Sequence, residues 1–354
     1  MTATQAVLLS PSRGLGGGIE RYVETLEWAL AEQGVQHARV DLGHGDRGGR
    51  IAAYVRMLAE GRHHMLEADA PTRLIAAHRT LLPAASLLAR HRLASGISVV
   101  CHGTDVWGDR PRLREGFEKQ LMCGPNVRVI AVSNFTAGAL SGTCQAAILP
   151  PGLSRDWFHL LIDQSICTTK RHDGVHLITA FRLGDWEGKG LLQLLDAVVA
   201  LGRADVTLTV CGSGEPPSEL QSLVQRYRFC TLLPGLSDRE LASRLAAADL
   251  FVLATRMRLG RNSSGEGFGL VLLEAQVAGT PVVGPAYGGS HDAYIDQVTG
   301  VAPADETAEA LAKVVGDLLG DPDRLAQMGK RAAEWARESF SPKHYASRVV
   351  ATLL

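Results

Sequence analysis

No apolar run in this chain of 354 residues reaches the ~18–20 residues that a membrane-spanning helix needs. The opening segment, MTATQAVLLSPSRG, lacks the basic start and long apolar core of an export signal. Cysteine is sparse: Cys101, Cys123, Cys144, Cys167, Cys211 and Cys230. No two of them stand two or three apart, which excludes a zinc ribbon and a redox CxxC motif. A chain this long without an export signal does not need disulfides, so the thiols read as reduced and the protein as cytoplasmic. Neither sign of charge dominates: 36 basic and 37 acidic side chains leave a formal net of −1. That excludes a basic nucleic-acid-binding tail, and no nucleic-acid partner is expected. What is present is ordinary globular material, 46% hydrophobic and 21% charged. Its length exceeds what one core usually serves, so two domains are expected.

Short apolar runs alternate with amphipathic stretches. AVLLS (6–10), RLIAAH (73–78), ISVVCH (97–102), VRVIAVS (127–133) and AAILPP (146–151) read as buried strands ending in loops. Between them Ile19, Tyr22, Val23, Leu26 and Leu30 recur at helical spacing. The rhythm breaks at about 151–174, which starts with prolines and ends polar, and reads as an interdomain connection. It resumes with VHLITAF (175–181), VTLTVCG (206–212), CTLLPG (230–235), DLFVLAT (249–255) and TPVVGP (280–285). Strands alternating with helices imply parallel sheets with crossover connections, hence an α/β protein of two open sheets. Ligands bind such sheets at the carboxyl ends of their strands, so function belongs in the loops that follow strands.

Five of those loops carry candidate chemistry. PSRGLGGGIER (11–21) has Gly14, Gly16, Gly17 and Gly18 ahead of a helix, an arrangement that suits phosphate. Ile19 stands where a dinucleotide fingerprint needs glycine. CHGTDVW (101–107) places His102 and Asp105 at a strand end, with Trp107 as an apolar platform. His102 there is either a packed, hydrogen-bonded side chain or a contact to a sugar or acceptor hydroxyl. FRLGDWEGKG (181–190) sets Arg182 and Lys189 seven apart, two cations suited to charge growing on a pyrophosphate leaving group. CGSGE (211–215) fails as a dinucleotide fingerprint because Pro217 replaces the third glycine, and Gly212 reads as a tight turn lining a nucleotide. Alone, the first segment also reads as a flexible loop with no ligand, the third as surface charges on a turn and the fourth as a plain turn.

GEGFGLVLLEAQVAGTPVV (265–283) is the strongest signal. Glu266 and Glu274 are separated by seven residues, and Gly267 and Gly269 precede a helix beginning near Leu270. The N–H groups at that helix start can hold a phosphate. Glu274, a turn inside, can accept from ribose hydroxyls, and Glu266, ahead of it, can reach a sugar. The preceding ATRMRLGRNSSGEGFG (254–269) holds Arg256, Arg258 and Arg261 and reads as a solvated loop, the alternative being that these arginines reach an anionic ligand. Asp321-Pro322-Asp323 reads as a turn between helices, not a metal site, and no metal is expected.

With these residues the chain resembles a retaining glycosyltransferase of family 4, with the GT-B fold. The Glu-x7-Glu pattern and the Arg182…Lys189 pair carry the resemblance, joined by VIAVSNFT (129–136), ILPPGL (148–153) and LPGLSDRELASRLAAADLFVLATR (233–256). The resemblance implies two Rossmann-like open-sheet domains facing a central cleft. Residues 1–160 would bind the acceptor, joined by a last helix at 342–354 that crosses back. Residues 161–341 would bind the nucleotide-sugar donor. It implies that Glu266 contacts the donor sugar together with the backbone of Phe268 and Gly269. The amides of Leu270 and Val271 would hold phosphate, Arg182 and Lys189 would neutralise the diphosphate, and Glu274 would bind ribose. Gly17 and Gly18 would close on the phosphate, Gly212 would line the nucleotide and His102 would approach the donor sugar. Asp105 and Trp107 would face the acceptor.

The reaction so implied moves a hexose-type sugar from a UDP- or GDP-sugar to an acceptor hydroxyl with retention. It uses front-face attack assisted by the leaving diphosphate, with no metal or other cofactor. The acceptor is either a glycan or lipid-linked intermediate or a small metabolite. An epimerase or hydrolase acting on sugar nucleotides is the alternative on the same fold. A nicotinamide-dependent oxidoreductase is the alternative of another class, disfavoured because both glycine loops fail its fingerprint. Residues 1–160 hold 17 basic and 14 acidic side chains, with basic runs at Arg90-His91-Arg92 and at Arg110, Arg112 and Arg114. These read as solvated faces, or as contacts to a phosphate-bearing acceptor or to the inner face of a membrane.

Overall fold

The computed structural model describes residues 5–11, 18–43, 49–68, 70–109, 111–168, 174–260 and 263–354. The chain divides into two compact units. One comprises Met1–Ser154 with Leu259–Ser263 and Pro342–Leu354, the other Arg155–Arg258 with Ser264–Ser341.

In the first unit β1 (Gln5–Ser10), β2 (Gln36–Asp41), β3 (Thr72–Ala76), β4 (Ala94–Cys101), β5 (Val127–Ala131) and β6 (Ala146–Ile148) form one parallel sheet. Its order is β2-β1-β3-β4-β5-β6. Leu8, Leu9, Ile75, Val99, Val100 and Ile130 are fully buried, so side chains on both faces of the sheet are covered. The direction of winding reverses between β1 and β3, which makes the ends of those strands a crevice.

The second unit repeats the architecture with β7 (Val175–Ala180), β8 (Val206–Gly212), β9 (Cys230–Pro234), β10 (Leu250–Val252), β11 (Val282–Val283) and β12 (Gly300–Val301). All pairs are parallel, in the order β12-β11-β10-β7-β8-β9. Here the reversal lies between β7 and β10. In open α/β sheets the carboxyl ends of the strands at such a reversal are where ligands bind.

Three features depart from the sequence-based expectation. The stretch expected to connect domains holds a helix, Arg155–Cys167, whose Trp157, Phe158 and Leu161 are buried in the second unit. Prolines ahead of it and a polar end behind it conceal an apolar stripe at helical spacing. The boundary accordingly falls at 154/155, before that helix. Residues 259–263 group with the first unit, where Gly260 pairs in parallel with Gly108 and accepts from Asp109 N–H at 3.0 Å.

The last helix, Pro342–Leu353, packs in the first unit. Ser98 Oγ donates to Leu353 O at 2.6 Å and Arg128 Nη1 to Thr352 O at 2.7 Å. Tyr345 lies against the bare α-carbon of Gly152, where any side chain would collide with its ring.

Candidate active site

The chemistry in the second unit gathers where the winding reverses. After β7 the chain runs from Arg182 to Gly190 and enters the helix Leu191–Ala200. Gly190 takes a left-handed conformation (φ 67°), and a Cβ there would strike the Ala254 carbonyl beyond β10. Only glycine lets the two loops come this close. Arg256 N–H donates to Gly188 O at 3.0 Å, which lays the second loop on the first. Lys189 is thereby delivered to Glu266: Nζ lies 2.6 Å from Oε1. Thr255 Oγ1 donates to the same oxygen at 2.7 Å. Both partners are only partly exposed, the side chains of Lys189 and Glu266 at 23% and 13%. Glu266 Oε2 has no partner among the described residues.

Glu266 is fixed through its backbone as well, since its carbonyl accepts from Gly289 N–H at 2.7 Å. Gly269, left-handed at φ 81°, turns the chain into the helix Leu270–Val277. This helix is apolar on nearly every face because it is buried on nearly every face: Leu272, Leu273, Ala275 and Val277 are fully covered. Its far end is held by Arg337, whose Nε and Nη2 donate to Val277 O at 3.0 and 2.8 Å. A cation at a helix C-terminus also complements the helix dipole. The first N–H groups of the helix, those of Leu270 and Val271, lack acceptors within it by geometry and stand at the end where an anion is favoured. Phe268 is buried, its ring packed on Phe340 with centroids 6.0 Å apart, so only its backbone is available to a ligand.

Glu274 lies in the same helix and is 3% exposed. Trp157 Nε1 donates to its Oε1 at 3.0 Å, a partner that sequence reasoning missed. Arg182 stands two residues beyond β7, its side chain 45% exposed and its Nη1 3.8 Å from Asp185 Oδ2. Gly212 serves packing: a Cβ there would strike Phe181 O and crowd Leu183. The arginine-bearing segment is not a free solvated loop. Arg256 pairs with Glu306 at 3.7 Å, Arg258 and Ser264 exchange backbone hydrogen bonds, and Ser264 Oγ donates to Arg256 O at 2.6 Å. Arg261 lies outside the described residues. Asp321 caps the helix Pro322–Ser339 by accepting from Arg324 N–H at 3.0 Å, which accounts for the Asp-Pro-Asp pattern.

In the first unit the candidates follow β1 and β4. Gly14, Gly16 and Gly17 lie outside the described residues, as does Arg110. Gly18 is the first residue of the helix Gly18–Glu32 and is exposed. His102 Nε2 lies 2.7 Å from Ala77 O and therefore carries the proton, leaving Nδ1 as an acceptor. Burial pushes the imidazole down to about 4, against a partial pull upward from Asp105, so it is neutral at pH 7. This histidine can accept from a hydroxyl but is no acid near neutrality.

Asp105 does not face an acceptor. It is buried, and its Oδ1 accepts from the N–H groups of His102 and Gly103 at 2.8 and 2.7 Å. A carboxylate three residues along a tight loop satisfies that loop's own donors before any ligand. Burial, the largest influence, raises its pKa, but His78, His102 and the two N–H groups together outweigh it and hold the carboxyl below its ordinary range. Trp107 is half-buried and meets Phe135 edge to face, centroids 5.3 Å apart. Phe135, 38% exposed in the first turn of the helix Asn134–Leu140, joins Trp107 as an aromatic surface.

Comparison with known proteins finds a family model, sequence relatives and solved structures similar to this chain. Residues 171–335 match the family model "Glycosyl transferases group 1". A GDP-mannose-dependent alpha-(1-6)-phosphatidylinositol monomannoside mannosyltransferase of Mycolicibacterium smegmatis is 29% identical over 280 residues, 75% of this chain and 72% of that protein. A D-inositol 3-phosphate glycosyltransferase of Paenarthrobacter aurescens is 27% identical, covering 93% of this chain and 91% of its own. Among solved structures, sucrose-phosphate synthase from Thermosynechococcus elongatus superposes with a TM-score of 0.77 at 20% identity, over 98% of both chains. Anabaena HepE in complex with UDP and glucose gives 0.71 at 18% identity, over 98% of both chains. The two parallel six-stranded sheets are those of the GT-B fold, and the chain is a glycosyltransferase carrying a group 1 domain.

Proposed function

We propose that the protein is a retaining hexosyltransferase that takes its sugar from a nucleoside-diphosphate donor and passes it to an acceptor hydroxyl. The observation that carries this reading is the convergence of Lys189 and Thr255 on one oxygen of Glu266, beside the helix start at Leu270. A diphosphate seated at that helix start meets backbone N–H groups and the cations of Lys189 and Arg182. As the bond from the anomeric carbon to the phosphate oxygen breaks, negative charge grows on the departing nucleoside diphosphate, and these fixed donors stabilise it. The acceptor hydroxyl attacks the same carbon from the same face, and its proton passes to the departing phosphate oxygen. Glu266 Oε2 takes a hydroxyl of the transferred sugar, and Glu274 takes the ribose. No metal and no cofactor besides the donor enters these steps.

GDP-mannose is the first donor to test and UDP-glucose the second, because a mannosyltransferase relative is named as GDP-mannose-dependent. For the acceptor, the names of the relatives support an inositol phosphate or phosphoinositide hydroxyl. In the first unit, His102 Nδ1 and the Trp107–Phe135 pair are the groups offered to such an acceptor. No helix among the described residues is long and apolar enough to cross a membrane. We place the enzyme in the cytoplasm with a peripheral contact at the inner membrane face. Leu113, 91% exposed, and Phe117, 52% exposed, project from the helix Arg112–Met122 beside exposed Arg112.

The test supplies each donor with and without inositol phosphate or a phosphatidylinositol acceptor, in metal-free buffer, and follows products by NMR. An α-glycoside formed only with acceptor supports the reading. Free sugar released without any acceptor supports the hydrolase alternative, and an inverted linkage contradicts retention.

A further inference from the structure

The two donors on Glu266 Oε1 are not equivalent. Lys189 carries its ammonium on a four-carbon stem with several rotatable bonds, 23% exposed at its side chain, on the loop proposed to face the diphosphate. Thr255 is 2% exposed and sits three residues beyond the end of β10. β-Branched side chains are stiff about their first torsion, and a buried one on a strand exit is stiffer still. A doubly negative diphosphate arriving at the Leu270 helix start attracts the Lys189 ammonium more strongly than a single carboxylate does. When Lys189 turns toward the phosphate, Glu266 loses one of its two side-chain donors. Thr255 Oγ1, at 2.7 Å, is the one that stays.

We infer that Thr255 is a positioning residue for the donor sugar. It holds Glu266 Oε1 while Lys189 serves the diphosphate, and so keeps Oε2 aimed at a sugar hydroxyl. The inference rests on the donor-site reading above and adds a division of labour to it: Lys189 answers to the phosphate, and Thr255 sets the geometry of sugar recognition. Thr255 itself touches neither. Without its hydroxyl the Glu266 carboxylate is free to rotate once Lys189 leaves, and the sugar then binds in more than one pose.

The test compares Thr255→Val, which keeps shape and removes the donor, with Thr255→Ser, which keeps the donor. Affinity for the free nucleoside diphosphate is read by calorimetry, and kcat and KM are read with the complete nucleotide sugar. Thr255→Val is expected to lower kcat/KM about 10- to 100-fold, the worth of one hydrogen bond to a charged group. Its affinity for the diphosphate alone is expected to stay within about 2-fold, and Thr255→Ser is expected to restore most of the activity. The inference is overturned if Thr255→Val transfers sugar normally, if it loses diphosphate affinity as much as it loses transfer, or if a cooperatively folded Thr255→Ser is as poor as the valine variant. If the unmodified protein binds no nucleoside diphosphate, the donor-site reading falls and takes this inference with it.

Discussion

Lys189 Nζ and Glu266 Oε1 lie 2.6 Å apart although 77 residues separate them in the chain. The pair forms because Gly190 lets the loop after β7 pass under the Ala254 carbonyl, so the ion pair depends on a glycine that bears no charge. Substituting Lys189 by alanine removes the cation but leaves Thr255 on Glu266. Turnover is expected to fall about 10²–10³-fold, the usual effect of deleting one donor that meets developing charge. Thermal melting is expected to stay cooperative, because a partly exposed ion pair contributes little to stability. Steady-state kinetics and a melting curve on the same preparation check both halves.

Gly190→Ala is expected to do the opposite, damaging the fold first. The left-handed conformation alone costs a side chain about 1–3 kcal/mol, and the Cβ must also displace the Ala254 carbonyl. A lowered denaturation midpoint with lost activity is the expected outcome, measured by chemical unfolding. A fully stable variant would show that the loops do not need this close approach.

Trp157→Phe keeps the aromatic bulk and removes the indole N–H that reaches Glu274. Hydrogen bonds to charged groups are worth about 1.5–3 kcal/mol. The variant is expected to be less stable by about that amount and, if Glu274 holds the ribose, to bind nucleoside diphosphate more weakly. Calorimetric titration with the diphosphate separates the two effects.

The stability of the first unit is expected to fall as pH drops from 6.5 toward 4. His102 binds its proton at about 4 in the folded chain, below its ordinary 6.5, because burial disfavours the imidazolium. In that window the unfolded chain takes up more protons than the folded one, so stability rises with pH and is lost on acidification. Asp105, also held low, adds a loss of the same sign further down. The His102 contribution is about 2 kcal/mol once its partial exposure is allowed for. Unfolding curves at pH 7 and pH 5 for the protein and for His102→Gln check it: the variant is expected to lose less stability between the two. Equal losses would mean that His102 titrates normally.

Most strands were legible because parallel strands buried on both faces read as continuous apolar runs, as AVLLS and VTLTVCG do. β2, QHARVD, was not, because it is an edge strand whose polar side chains interrupt any apolar run. β12 is two residues long and carries no pattern. In the site, Lys189 and Glu266 stand in recognisable loops after strands. Thr255 and Trp157 escaped notice because their partners are 11 and 117 residues away, and no local spacing encodes a hydrogen bond that the tertiary fold creates. Asp105 was misread for the converse reason. Its spacing from His102 and Gly103 is a local cap, and a carboxylate at a strand end looks the same whether it faces a ligand or its own loop.

The most direct test of the donor site is thermal stabilisation of the purified protein, in metal-free buffer, by GDP, UDP, ADP and NAD, with Lys189→Ala alongside. A ligand at about a hundred times its dissociation constant adds roughly 2.7 kcal/mol of stability. The account predicts that one nucleoside diphosphate raises the melting temperature by several degrees, that NAD does not, and that Lys189→Ala loses most of the shift. Stabilisation by NAD alone, or an undiminished shift in Lys189→Ala, would contradict it.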